Sequence, residues 1–451
     1  MSTVSETLSK FAIGLKYSDL SDEVVRYSKH LLLDTLGVAL GGYLSEPSRI
    51  TRSFVRELGG KPESTIIGSS EKTTCSYAAL VNGVMVRYLD FDASYSSLGP
   101  CHPSENIPTA LAVGERQHST GKEVIVAIVL GYEFQVRFTD TIPFERLGWH
   151  HVTTGGYITP LIAGKLLGLD EEEMVNAVGI SGSTNHTLYL YGPGSGQITM
   201  MKAMEYPLTS QNGINAALMA QKGLTGPSTI IETLNHTIAQ DADLTPLLKG
   251  GENLRILNCA IKPYPASGPI QSALTALFKL VKQHGITFED VEEMYLRTYE
   301  NATAHAAHPE AYKPETRETA DHSLPYCLAV GLKEGDLGPD QFRGEKWKDP
   351  KVLNLMARIK VTTDPELAKL YPSARPADLE IRTKKGERLK ARVDHPKGNP
   401  CNPMTDEEVQ AKFKKLASKL MEEDQICHII ETVNNIEKVD DIGELMDLLA
   451  V

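Results

Sequence analysis

Apolar residues recur at helical spacing through most of the first 260 positions. Val24, Val25, Leu31, Leu32 and Leu36 roughly follow one helical face. Ser21 precedes them and suits an N-cap, where a hydroxyl accepts from an otherwise orphaned backbone N–H. Thr120-Gly121-Lys122-Glu123 matches a capping box. The run behind it, from Val124 to Leu130, is apolar all round and fits a buried strand or a buried helix. The cap, and a pattern that continues past Tyr132 without a breaker, favour the helix. Asp170-Glu171-Glu172-Glu173 opens another helix after Gly168, which suits the end of the helix before it. Asn212 to Ala220 is rich in small residues that allow close packing in a core. It ends at Lys222-Gly223-Leu224-Thr225-Gly226-Pro227, a turn signature.

Beyond residue 260 the pattern changes. Glu293 to Tyr299 partly alternates and Ala357 to Thr362 alternates better, which predicts strands. Leu379 to Arg382 and Leu389 to Val393 flank Lys385-Gly386 and predict a hairpin. Their polar positions predict an antiparallel sheet with one solvated side. His395-Pro396-Lys397-Gly398-Asn399-Pro400 marks the exit. Thr405-Asp406-Glu407-Glu408 is a second capping box, with Val409, Phe413, Leu416 and Leu420 on one helical face. The chain thus reads as helical over 1–260, α+β over 261–398 and helical again over 399–451. The last stretch is expected to return to the first. There is no internal repeat and no low-complexity segment.

The 451 residues fit two or three domains of ordinary soluble composition. A formal charge of −12, with no Lys/Arg block, argues against nucleic acid or an anionic membrane as the main partner. It leaves room for an anionic small substrate, because a few clustered cations set a local field. No stretch approaches the apolar length that spans a bilayer. The first residues show no basic region leading into an apolar run, so no secretory signal is expected. The six cysteines form no C-x-x-C pair and give no support for a zinc site or an iron–sulfur cluster. Buried or inert thiols in a reduced, cytoplasmic chain are expected.

The densest chemistry lies in Leu89-Asp90-Phe91-Asp92-Ala93-Ser94 followed by Cys101-His102-Pro103-Ser104-Glu105-Asn106. Ser104 is a plausible cap for the apolar run from Ile107, with Glu105 in its first turn, where the helix dipole favours an anion. His150 and His151 are adjacent. Two neighbours cannot share one helix face, so one of them is expected at a given site. Tyr191-Gly192-Pro193-Gly194-Ser195-Gly196 reads as a flexible loop rather than a phosphate loop, since no G-K-[ST] follows. Lys202 follows it at a helix entrance. Lys262-Pro263-Tyr264-Pro265 fixes a cation in a rigid, non-helical turn. Tyr312-Lys313-Pro314-Glu315 and Asp321-His322-Ser323-Leu324-Pro325-Tyr326 complete the set, the latter reading as a helix start capped by Asp321 or Ser323.

Taken in order, these blocks resemble the MmgE/PrpD family over nearly the whole chain. They are Leu89 to Asp92, His102 to Asn106, Gly148 to His151, Lys165 to Asp170, Gly223 to Pro227, Lys262 to Pro265, Asp321 to Tyr326, and His395 to Pro400 with Asn402 to Thr405. The resemblance implies a mainly α fold, in which a large all-helical domain (1–260 and 399–451) carries an inserted, smaller α+β lid (261–398). It also implies a cofactor-independent, metal-independent enzyme, a homodimer, with its site between domain and lid. Residue by residue, Asp90 matches the first acid of the family's D-F-D-D-T. Ser94 stands where a threonine is usual, and Ala93 replaces the second acidic neighbour. His102 matches the H-P-S histidine, and one of His150 and His151 matches the next. Lys202, Lys262 and Tyr312 match two site lysines and a site tyrosine. Ser267 stands where the family's decarboxylases carry a histidine, which favours a dehydratase.

The expected function is therefore dehydration of 2-methylcitrate or a similar tricarboxylate. The alternatives are decarboxylation or epimerisation of a related polycarboxylate such as cis-aconitate or iminodisuccinate, or carboxylate binding without catalysis. His102 or His151 is expected to be the base, with Asp90 orienting it or acting as a second acid/base. Tyr312 or a lysine would protonate the leaving group. Ser94, Lys202, Lys262 and Ser267 would hold the substrate.

Overall fold

The computed structural model describes residues 2–190, 196–250 and 253–451, so the loop read at 191–196 lies, but for Gly196, outside the described residues. Helices α1 (Val4–Gly14), α2 (Asp22–Gly42), α3 (Glu46–Leu58) and α4 (Cys75–Tyr88) open the chain. Next come α5 (Ile107–Arg116), α6 (Gly121–Thr141), α7 (Gly155–Leu167), α8 (Glu171–Gly182), α9 (Glu205–Ala220) and α10 (Ile230–Thr237). The expected caps hold. Ser21 accepts from Val24 N–H, and the Thr120/Glu123 and Asp170/Glu173 boxes close both ways. Gly168 ends α7 in the left-handed region at φ +69°. The run from Val124 to Leu130 is apolar all round because α6 is buried all round. The small residues of α9 lie against α7 and α8.

The helical part is not all helical, contrary to expectation. It contains two short antiparallel ribbons, β1 (Ser64–Thr65) with β2 (Lys72–Thr73), and β3 (Tyr95–Ser96) with β4 (Pro100–Cys101). Two-residue pairings of this kind leave no hydrophobic period to read. The second ribbon folds the Asp90 loop back so that His102 returns beside Asp92.

Residues from Ala266 to Ala391 form a second hydrophobic core. It packs α11 (Gln271–His284) and α12 (Leu324–Glu334) with β5 (Val291–Thr298), β6 (Ile359–Thr363), β7 (Ala377–Thr383) and β8 (Arg388–Val393). The strand order is β6-β5-β7-β8. The β7–β8 hairpin turns at Gly386, φ +85°, as expected. The sheet is mixed rather than antiparallel, because β6 pairs parallel to β5. A parallel neighbour needs a crossover connection, and the helical segment between β5 and β6 supplies one. Strand β7 alternates buried and half-buried positions, with α11 on the covered face.

Helices α13 (Asp406–Ala417) and α14 (Glu423–Asn434) rejoin the first core, which runs from Val4 to Ile261 and again from Met404 to Leu449. Val409, Phe413 and Leu416 are the buried face of α13. Gly398, φ +84°, joins this segment to the start of the second core. A Cβ there would lie 1.8 Å from the Ile261 carbonyl oxygen, so no other residue allows that approach. Cys75, Cys101, Cys259 and Cys327 are buried as expected, whereas Cys401 and Cys427 are exposed. Among the described residues, no helix is long and apolar enough to cross a membrane.

Candidate active site

The site is built on the last turn of α4 and the loop behind it. Arg87, the one charged residue of α4, is buried and pairs with Asp90. Its Nη1 also lies 3.7 Å from Asp92 and its Nε 3.2 Å from Glu105, so one guanidinium gathers three acids from the loop. Asp90 sits at φ +50°, a left-handed conformation that Asp tolerates better than most residues. Ser104 does not cap α5. It lies in a short 3-10 turn after Pro103 and its hydroxyl donates to Asp92 at 3.0 Å, while Glu105 is buried in the same turn. The stretch trades a solvated helix start for a buried polar loop.

His102 Nδ1 lies 3.2 Å from the Ala93 carbonyl oxygen. A carbonyl can only accept, so Nδ1 carries the proton and Nε2 keeps its lone pair. Ser94 exchanges backbone hydrogen bonds with Ala260, at 2.9 and 2.8 Å, which brings the Lys262 turn under the loop. Lys262 Nζ donates to the Asp90 carbonyl at 2.9 Å and lies 3.4 Å from its carboxylate. Lys412, from α13, braces both strands of chain: its ammonium donates to the carbonyls of Phe91 and Lys262 and pairs with buried Asp34 at 2.6 Å.

Lys202 is in the 3-10 turn Met200–Ala203 just before α9. Its Nζ is 3.1 Å from both oxygens of Asp321 and 3.6 Å from Asp90. Asp321 was read as a possible helix cap. Ser323 takes that role for α12, and Asp321 instead receives Lys202, Arg317 and His322. His150 and His151 both reach the site, against the expectation of one. They lie at an extended-to-3-10 junction rather than on a helix, with ring centroids 4.2 Å apart. His150 Nδ1 is 2.9 Å from Glu205, and His151 stands between Glu105 and Glu145 at 3.9 and 3.7 Å.

A cleft of about 700 Å³ collects these groups. Asp90, Ser94, His102, His150, His151, Lys202 and Ser267 line it, and Lys262 is buried beneath Asp90. Tyr312 does not line it; its hydroxyl donates to the Ile359 carbonyl in β6 at 3.2 Å. The reading from sequence missed Arg87 and Arg375, and it drew attention to the stretches holding Asp92, Glu105, Asp321 and His322 without giving those four residues a place in the site. For Arg87 the available signal was a single charge in a mostly apolar helix, since a buried guanidinium needs partners.

Burial alone would raise the Asp90 carboxyl, but Lys202, Lys262 and Arg87 hold it well below the usual range. Burial raises Asp92, and burial pushes Glu105 to about 8, against the pull of Arg87. Burial, with Arg87 and Lys262, holds His102 well below ordinary imidazole; burial and His150 lower His151 to about 4. The site thus holds an ionised carboxylate beside neutral imidazoles. Three groups of possible metal ligands lie here: Asp90/Asp92/His102, Asp90/Asp321/His322 and Glu145/His150/His151. In the first two, lysine and arginine side chains already supply the positive charge.

Residues 6–240 match the MmgE/PrpD N-terminal domain and residues 264–438 the MmgE/PrpD C-terminal domain. The chain belongs to the MmgE/PrpD family. It is similar to the cis-aconitate decarboxylase of Mus musculus, 24% identical over 100% of this chain and 94% of that protein. It is also similar to the cis-aconitate decarboxylase of Aspergillus terreus, 23% identical over 99% and 96%. The 2-methylcitrate dehydratase of Cupriavidus necator is 25% identical over 78% of each chain.

Proposed function

We propose that this protein is a lyase that moves a proton at a carbon beside a carboxylate, and that it dehydrates 2-methylcitrate or a similar tricarboxylate. The observation that carries the reading is His102: its Nδ1–H is committed to Ala93, which leaves a neutral Nε2 in a cleft beside an ionised Asp90. Nε2 takes the carbon-bound proton, the freed electron pair becomes the C=C bond, and the hydroxyl leaves as water with a proton from the Lys202 ammonium. Burial lowers Lys202 even though Asp321 and Asp90 oppose it, which suits an acid. Arg87 and Lys262 disfavour a charged His102, and incoming substrate carboxylates offset them, so the base strengthens when substrate arrives. Tyr312, held on Ile359, takes no part in this arrangement.

Decarboxylation is the second reading. The decarboxylases above align with nearly all of this chain, the dehydratase with 78% of it. Ser267 in the cleft, where the resemblance places a decarboxylase histidine, sets dehydration first. The same reading carries the homodimer, the cytoplasmic location, the lid role of residues 261–398 and independence from metals and cofactors. The test is incubation with 2-methylcitrate, citrate, cis-aconitate and single-enantiomer iminodisuccinate, with and without chelator, followed by NMR. An alkene tricarboxylate from 2-methylcitrate supports dehydration. Itaconate or racemisation supports the alternatives, and binding without turnover supports a non-catalytic homologue.

A further inference from the structure

Three cations other than histidine line the cleft: Arg87, Lys202 and Arg375. Arg87 is already shared by Asp90, Asp92 and Glu105, and Lys202 by Asp321 and Asp90. Among the described residues, Arg375 is the lining cation with no carboxylate partner. The groups expected to grip a polycarboxylate are therefore largely neutralised by the protein itself, and Arg375 is not.

Its placement is that of a built feature. Arg375 stands just before β7, and its backbone N–H donates to the Asp394 carbonyl beyond β8 at 3.0 Å, which ties it to the end of the sheet. Its side chain is half-buried, over Gly268. A Cβ on residue 268 would come within 3.0 Å of Arg375 Nη1, closer than an ordinary contact, so the glycine keeps that space open for the guanidinium. The stacked rings of Tyr299 and Tyr371, 5.0 Å apart, line the same cleft. Arg375 also forms part of the wall of a neighbouring polar cavity, with Asn399 and Ser373.

We infer that Arg375 is the carboxylate anchor of the cleft, gripping a substrate carboxylate through its two parallel N–H groups from the wall built by residues 266–391. A planar fork matches a carboxylate in two places at once, which a lysine cannot do. Lys202 and Lys262 are left to hold Asp90 and to serve the leaving group. This deepens the proposed function and rests on it for the substrate class, a polycarboxylate; the anchoring itself is read by binding alone.

The experiment is calorimetric titration of the full-length protein with propane-1,2,3-tricarboxylate, which has neither a hydroxyl to lose nor an alkene. Arg375→Gln is expected to weaken binding roughly 10- to 100-fold, the loss of a charge-assisted fork. Arg375→Lys should recover part of it, and Gly268→Ala, which crowds the guanidinium without removing charge, should also weaken it. Circular dichroism and melting establish that each variant is folded. Unchanged affinity in Arg375→Gln, or in both other variants should that one not fold, overturns the assignment, as does a wild type that binds no tricarboxylate. A wild type that binds this probe tightly but turns over none of 2-methylcitrate, citrate, cis-aconitate and iminodisuccinate sinks the lyase reading and leaves the anchor standing.

Discussion

The Lys202 ammonium lies 3.1 Å from each carboxylate oxygen of Asp321, 119 positions further along the chain. The pair is buried, and it spans the two hydrophobic cores, since Lys202 precedes α9 and Asp321 precedes α12. Arg317 shares the same carboxylate at 2.8 Å. Removing the acid leaves two buried cations short of a partner, a change that costs about 3–5 kcal/mol in comparable pairs. Asp321→Asn is expected to lower the unfolding free energy by about that amount, read by chemical denaturation. An unchanged midpoint would show that the pair contributes nothing.

His102 is expected to be indispensable to turnover. His102→Ala should cut the rate by about 10²- to 10⁴-fold, the usual worth of a positioned base. It should keep a cooperative melt, because the side chain lines the cleft and its one hydrogen bond goes to a backbone carbonyl. Full activity in this variant would pass the base role to His151.

The pH dependence of kcat/KM reports the free enzyme. The neutral imidazole is the active form, and burial together with Arg87 and Lys262 disfavours its protonation in His102. Activity should therefore persist below the ordinary imidazole value of about 6.5 and fall only on further acidification. An acid limb centred at or above that value would contradict the assignment.

Glu105 makes stability fall with rising pH. Its folded pKa is raised from 4.5 to about 8, so its contribution is complete below 4.5 and is lost as pH climbs through about 8. His151, lowered from 6.5 to about 4, works the other way, losing its contribution as pH falls from 6.5 to 4. His151 is present in both proteins when wild type is compared with Glu105→Gln. The melting temperature of Glu105→Gln, measured relative to wild type, should rise steadily between about pH 4.5 and pH 8. A flat difference would mean that Glu105 is ionised in the folded state.

Helix boundaries were legible in the sequence because capping is local chemistry. Ser21, Thr120, Asp170 and Thr405 each meet a backbone N–H three residues away, and that spacing is visible in the chain. The β7–β8 hairpin was legible for the same reason, a glycine turn between alternating runs. The parallel β5–β6 pairing was not, since strand order depends on how the intervening helices pack. Asp90, His102 and Lys202 stood out by residue type and company. Asp321 looked like a cap because Ser323, two residues on, is one.

By itself the sequence determined the helical and α+β stretches, their caps, and a short roster of chemical groups. Only the tertiary structure decided which charges neutralise one another. Lys262 meets Asp90 across 172 positions and Lys202 meets Asp321 across 119, and no local pattern encodes such pairings. The standing of Arg375 as the lining cation without a carboxylate depends on which neighbours surround it in space. That property exists only once the chain has folded, because ionic partners are set by distance through the fold and not along the backbone.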